Sequence, residues 1–309
     1  LPRRIWQRIN LLHYMLLIKI QLNSLTAKQI VQQINSLPNS SWQAKEYNEK
    51  RAYGHIELEM PENTGEQQQT LNLQFKSAVH KLSAYPASLD WTATHERCFG
   101  VVKNQGLCGS CWAFASMNTF ADMRCIQQID VKRKRLSEQH LLSCNSDQTA
   151  CDGGTIRVWD YVLRTGVPTF DCVSYKQKVV VSPIAACPTS CDDGSAVQLF
   201  RISQYVLVKG EEAMVAALQY GPLYTSYRVY ADFDSYSTGV YSHVVSADTS
   251  STGHAVEVVG YGVDSASGKK FWKVKNSWGD AWGENGYFRI LRGVNECNFE
   301  NQAALIFVK

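Results

Sequence analysis

Apolar positions recur at helical spacing in two stretches and at strand density in two others. Thr26 and Gln29 stand at capping-box separation, and Ile30, Val31, Ile34 and Leu37 follow at i, i+1, i+4 and i+7 before Pro38. That spacing predicts a short amphipathic helix closed by Pro38. Farther on, Ala113, Met117, Ala121 and Cys125 step by four, and Phe114, Met117 and Phe120 step by three. Apolar residues on more than one face predict a mostly buried helix beginning near Ser110 or Cys111. The segments GHAVEVVGYG (253–262) and KKFWKVKNSWG (269–279) read as strands, rich in apolar and β-branched residues. The turn-rich link VDSASGKK joins them as an antiparallel hairpin. A turn centred near Ser265 or Ala266 makes paired positions sum to about 530–532, so His254 lies opposite Asn276 or two residues from it. From Pro38 to residue 82 the chain is polar and Gln-rich (GEQQQT), with no strong period. Such a stretch cannot build a core alone and is expected to lie along something larger.

Composition narrows the class. The 309 residues are enough for two domains, and 45% apolar content supports a real core. A net charge of +3 is too small to argue for a nucleic-acid partner, and VKRKR (131–135) reads as a solvated surface. No segment is long and apolar enough to span a membrane. RRIWQRINLLHYMLLIKI (3–20) has the basic start and apolar stretch of a secretory signal, although Lys19 interrupts it. Residues 1–23 are therefore read as a signal-like leader, with an amphipathic helix as the alternative. All ten cysteines lie between residues 98 and 297, which suggests an oxidising compartment and a disulfide framework. Asn39-Ser40-Ser41 is a glycosylation sequon usable on a secretory route.

The chemistry gathers at QGLCGSCWAF (105–114). A C-x-x-C pair can be a redox couple, half of a metal site, or a nucleophile beside a structural cysteine. Cys111 falls in the first turn of the buried helix, where free N–H groups and the helix dipole favour a thiolate. Cys108 sits outside it in a Gly-flanked loop. A redox pair would use the same local geometry, so the partners decide. A zinc module would need further paired ligands, and the chain has one C-x-x-C. A thiolate nucleophile needs a base and a group that orients the base. The hairpin supplies both, as His254 and Asn276.

Cys-Gly-Ser-Cys-Trp (108–112), with His and Asn far downstream, resembles the signature of the papain family of cysteine proteases. LSEQHLLSC, CDGG, TGHAV and NSWGDAWGENGYFRI extend the likeness over essentially all of 86–309. VYADFDSYSTGVYSHV (229–244), RGVNECNFEN and the leader's LTAKQIVQQIN…SSWQAKEY resemble the cathepsin B branch. The resemblance implies an α+β, papain-like two-domain fold: a helical domain over 83–195 carrying the nucleophile and a β-rich domain over 196–309 carrying His254 and Asn276, with the cleft between them. Residues 24–82 would be an inhibitory propeptide laid through the cleft in the non-cleavable direction, and the mature enzyme would begin near Ser83.

By the same likeness, Cys98–Cys125, Cys108–Cys151, Cys144–Cys187 and Cys172–Cys191 are bridges, leaving Cys111 as nucleophile and Cys297 as a free thiol. Cys111 would attack the scissile carbonyl as the thiolate of an ion pair with His254, its pKa about 3–4 as in papain. Asn276 would orient the imidazole and Trp278 would shield that bond. Gln105 would complete the oxyanion hole, Gly153 and Gly154 would pair with the substrate backbone, and Trp282 would wall the leaving-group side. No cofactor or metal is implied. The implied partners are peptide or protein substrates, the propeptide itself and cystatin-type inhibitors, for a monomer of the secretory pathway, in a lysosome-like vacuole or outside the cell.

Two positions depart from the cathepsin B pattern. The span Cys172–Cys187 is short and holds no histidine, so it lacks the occluding loop that makes cathepsin B a carboxydipeptidase, and endopeptidase activity is expected. Gln302 stands where the family has an acidic residue at the base of the pocket for the residue two before the cut, so apolar or aromatic side chains are expected there over Arg. A catalytically inactive homologue that only binds peptides, and an exopeptidase of cathepsin B type, are the alternatives.

Overall fold

The structure is a computed structural model and describes residues 26–49, 51–61, 66–78, 84–177, 183–244 and 252–309. The signal-like leader and the expected mature start at Ser83 lie outside the described residues.

The first element, α1 (Ala27–Ser36), carries the capping box reciprocally, with the Gln29 N–H donating to the Thr26 hydroxyl and the Thr26 N–H to the Gln29 side chain. Ile30 and Ile34 are buried and Leu37, the C-cap, is exposed. Two short strands, β1 (Trp42–Ala44) and β2 (His55–Ile56), a helix α2 (Glu66–Ala78), a strand β3 (Leu89–Asp90) and a one-turn helix α3 (Trp91–Thr94) follow. The next region is helical: α4 (Cys111–Ile126), α5 (Glu138–Cys144), the two-residue β4 (Gly153–Gly154) and α6 (Val158–Arg164). The rest is mostly strand: β5 (Ile202–Val208), a helix α7 (Glu211–Leu218), β6 (Leu223–Arg228), β7 (Tyr236–Tyr241), β8 (Gly253–Val263), β9 (Lys270–Lys275), β10 (Tyr287–Leu291) and β11 (Ala303–Val308).

The apolar residues on every face of α4 have their consequence here, because residues 111 to 125 are all buried. The helix packs against β8 at the centre of a nine-stranded sheet ordered β1-β7-β10-β9-β8-β6-β11-β5, with β3 pairing with β8 off that path. A charged cluster pins the helix to this sheet. Lys275 of β9 reaches Asp122 of α4 at 2.8 Å and Glu257 of β8 at 3.7 Å, and Arg133 closes on the other Asp122 oxygen. Burial raises the Asp122 carboxyl, but Arg133 and Lys275 outweigh it and hold the pKa below the usual carboxylate range. Burial and the neighbouring Asp122 push Glu257 the other way.

The β8–β9 hairpin is antiparallel, with Tyr261 opposite Trp272 and Val258 opposite Val274. Paired positions sum to 533 near the turn and 532 farther in, the change falling at a bulge between Val258 and Gly260. Four disulfides close Cys98–Cys125, Cys108–Cys151, Cys144–Cys187 and Cys172–Cys191.

The polar stretch after Pro38 gains its structure from what it lies on. β1 adds to the edge of the large sheet, antiparallel to β7, with Trp42 buried against Tyr236 and Tyr241. β2 pairs in parallel with β4 across the mouth of α4.

Candidate active site

Cys111 opens α4, and three features fix its loop. The Cys108–Cys151 bridge ties it to the strand carrying Gly153, the Gly109 N–H donates to the Cys151 carbonyl at 2.9 Å, and the Trp112 indole N–H donates to the Ala150 carbonyl at 3.0 Å. The Ala255 N–H, one residue past His254 on β8, donates to Cys111 Sγ at 3.4 Å. The sulfur therefore rests against the backbone of the strand that carries the imidazole.

His254 and Asn276 meet at 2.7 Å, from Nε2 to Oδ1. Oδ1 also accepts the Ser277 N–H at 2.8 Å, which identifies it as the oxygen of the amide. Nε2 must then carry the proton, and Nδ1 is left as the free base. Nδ1 is buried and has no hydrogen-bond partner. Trp278 stacks on the imidazole, centroids 4.8 Å apart and planes 28° apart, and closes the His–Asn bond from solvent.

Gln105 is fixed from both sides. Its Oε1 accepts the Ser277 hydroxyl at 2.6 Å and its backbone N–H donates to the Ser277 carbonyl at 2.9 Å. Its Nε2 donates to the Cys108 carbonyl at 2.9 Å and the Ala52 carbonyl at 3.1 Å. Tyr175 braces the same loop, donating to the Gln105 carbonyl at 2.8 Å and lying 2.9 Å from the Ser110 hydroxyl. Ser277 lies within the NSWG stretch that carries the family likeness and Tyr175 lies in no such stretch, but the contacts of both with the Gln105 loop are given only by the fold.

Residues 51–57 fill the groove. The Arg51 guanidinium lies over the Trp278 ring at 4.9 Å. Tyr53 meets His254 and Trp278 edge-on and hydrogen-bonds Asp234. Gly54 bridges to Gly253 directly above the sulfur, and His55 and Ile56 run parallel to Gly153 and Gly154. Gly153 has φ +133°, and a Cβ there would lie 2.0 Å from the His55 carbonyl oxygen, so only glycine serves at that position. Ile56 is buried beside Gly253. The Glu57 carbonyl accepts from Ser226 at 3.1 Å and from the Gln302 side chain. Trp282 is buried behind Trp278, packed on Phe233 and Tyr236, with its N–H donating to the Asp234 carbonyl.

With the groove filled, burial disfavours charge on both members of the dyad. Burial pushes the Cys111 thiol up to about 11 despite the backbone N–H groups of Ala255, Trp112 and Gly54 aimed at it. Burial likewise draws His254 down to about 4, against the Asn276 bond that favours its proton. In this form burial works against the thiolate–imidazolium pair that the family likeness implies, because the covering strand excludes the water that would solvate both charges. Cys297 is the other free thiol, half-buried beside Glu296.

A cysteine at a helix start, an amide-oriented imidazole and a side-chain amide held on the loop that leads into that helix are suited to acyl transfer. Comparison with known proteins agrees. The papain family cysteine protease profile matches residues 85–307. Cathepsin B-like CP1 of Giardia intestinalis is 42% identical over 229 residues, 72% of this chain and 74% of that protein. Cathepsin B-like cysteine proteinase 5 of Caenorhabditis elegans is 33% identical over 263 residues, covering 73% and 75%. Among solved structures, procathepsin B S9 from Trypanosoma congolense superposes with a TM-score of 0.75 at 29% identity, over 92% of this chain and 99% of that one. The chain belongs to the papain family of cysteine proteases and is a cathepsin B-like cysteine peptidase made as a proenzyme.

Proposed function

We propose that the mature enzyme is an endopeptidase, that Cys111, His254, Asn276 and Gln105 carry its chemistry, and that residues 24–82 are its propeptide. The observation that supports this most is the groove itself: one extended segment crosses Cys111 with its Ala52 carbonyl on Gln105 and its backbone on Gly153 and Gly154. A substrate would use the same three contacts in the opposite direction. The Cys111 thiol gives its proton to His254 Nδ1 and the sulfur attacks the carbonyl, Gln105 and the Cys111 N–H hold the oxyanion, and His254 then passes that Nδ1 proton to the leaving amine as the C–N bond breaks and the thioester forms. One such donor is worth roughly 2.7–4 kcal/mol at the transition state. Water then hydrolyses the thioester.

Endopeptidase specificity rests on the span Cys172–Cys187, which holds no histidine. Its described part turns inward, with Tyr175 bracing Gln105, and a cavity of about 690 Å³ stands beside Trp278. Gln302, buried under the Glu57 carbonyl, carries no charge and favours an apolar or aromatic residue two before the cut. Cystatin-type inhibitors would compete for this groove, and the enzyme acts as a monomer. Four disulfides and the exposed Asn39 sequon support a secretory route, to a lysosome-like vacuole or the exterior. Among the described residues no helix is long and apolar enough to cross a membrane.

The test is acid activation of the purified proenzyme, followed by mass-spectrometric cleavage profiles on denatured protein and on peptides with free C-termini. Internal cuts are expected to dominate. Sequential removal of C-terminal dipeptides would overturn the endopeptidase reading, and an activated enzyme with no cleavage at all would overturn the peptidase assignment of these residues.

A further inference from the structure

The basic run at 131–135 does not behave as one solvated face. Arg133 turns inward onto Asp122, while Lys132 and Arg135 line the cavity of about 690 Å³ that begins at Trp278. Trp278 covers His254 on one side and borders this cavity with its edge, so the cavity adjoins the reacting groups on the Trp278 side of the groove. Its floor is apolar, from Phe114 and Tyr175, whose rings meet edge to face at 4.8 Å.

The wall is positively charged in excess. Lys103 is committed to Glu138 and Arg133 to Asp122. Arg97, Lys132 and Arg135 are exposed on the lining and make no ion pair among the described residues; Arg135 stacks on Phe170 at 3.7 Å. Among the described residues, Asp280 and Glu49 are the lining carboxylates without an ion pair. Glu49 precedes the segment that fills the groove, five residues before Gly54, and is the acidic residue on this side of it that lines the cavity.

We propose that this cavity selects substrates with an acidic side chain on the leaving fragment, beyond its first residue, and that Glu49 holds the place in the proenzyme. The inference rests on the peptidase reading above and on substrate running opposite to residues 51–57. The apolar floor takes the methylenes of Glu or Asp, and Arg97, Lys132 and Arg135 take the carboxylate at a solvent-exposed rim. Exposed pairs of this kind are individually weak and sensitive to salt, so selectivity of about three- to fivefold in kcat/KM at low ionic strength is expected.

Internally quenched peptides with one acyl side, a blocked C-terminus, and Glu, Gln or Lys at the second, third or fourth leaving position test this with the mature enzyme. A peptidyl coumarylamide, which has no leaving peptide, normalises each rate. The expected result is a Glu-over-Gln ratio of about three to five that falls toward one in 0.5 M salt and reverses toward Lys in an R97E/K132E double variant. A flat ratio, a ratio unmoved by salt or by the double variant, or a preference seen only with free C-termini would overturn the inference while coumarylamide turnover kept the peptidase reading intact. Absence of coumarylamide turnover would remove both.

Discussion

Gly54 is the point at which the groove-filling segment passes over the nucleophile, and its lack of a side chain is what lets it pass. A Cβ built there would lie 2.6 Å from Gly153 Cα, 2.7 Å from the Gly109 carbonyl oxygen and 2.9 Å from Gly153 N. All three are backbone atoms, one in the loop clamped by Cys108–Cys151 and two in the strand just past it. Neither wall can yield by rotating a side chain, so Gly54→Ala must lift the segment and break the bridge to Gly253. Overpacking of a rigid site costs about 1–3 kcal/mol, which is about a 5- to 150-fold weakening in affinity. The assay is inhibition of the mature enzyme by a synthetic peptide spanning 42–60, wild type against Gly54→Ala, with Gly54→Val as a larger step. Because the substitution is in the added peptide, enzyme folding is not at issue. An inhibition constant that stays within twofold for both variants would refute the close passage over Cys111 and, with it, the autoinhibitory geometry.

Three further outcomes follow from the same geometry. With the groove filled, a Cys111 pKa of about 11 leaves roughly one thiol in 10⁴ ionised at pH 7, so iodoacetamide labelling of Cys111 in the proenzyme should rise about tenfold per pH unit from pH 6 to 9. The mature form should label at a rate nearly flat over that range, and mass spectrometry of the Cys111 peptide at each pH would expose a pH-independent proenzyme rate if burial does not control the thiol. Asn276→Ala removes the Nε2–H acceptor that fixes the imidazole, so kcat should fall about 10- to 100-fold with little change in KM; an unchanged kcat would show that Trp278 alone orients the ring. Gln302→Glu places a carboxylate where the Gln302 side chain now donates to the Glu57 carbonyl. It should weaken inhibition by the propeptide and raise the Arg-over-Phe ratio two residues before the cut by about tenfold, read in a peptide library; an unmoved ratio would place the pocket base elsewhere.

The parts of this enzyme legible in its sequence are those whose pattern is set by burial along one element. The helix of Cys111 could be read because apolar residues occupy all of its faces, and burial of residues 111–125 is the physical cause of that pattern. The hairpin could be read because both strands are dense in β-branched and aromatic residues around one turn. Its register agrees with the expected sum of about 530–532 in the inner half, where pairs sum to 532, and lies one position away nearer the turn, where they sum to 533, since the bulge after Val258 adds a residue to β8 with nothing opposite it and Gly260 beyond the bulge faces the backbone of β3. Such a bulge answers to a neighbouring strand 170 residues away in the chain, and periodicity within the hairpin carries no trace of it.

What could not be read are features that exist only between segments. RAYGHIE shows neither period, yet His55 and Ile56 within it become a strand because β4 offers them backbone partners, and the groove buries Ile56 and half-buries Tyr53. WQA is too short to be stable alone and is held by the edge of β7. The charge state of the dyad belongs to the same class. Position at a helix start argues for a thiolate, and four backbone N–H groups do point at the sulfur, but burial by a segment more than fifty residues earlier outweighs them. On the proposed reading one strand sets both access and reactivity: while it lies in the groove it occupies Gly153 and Gly154, the proposed backbone partners of substrate, and its burial of Cys111 favours the thiol. Its removal must restore both together, so labelling of Cys111 and turnover of peptide should appear at the same rate during activation.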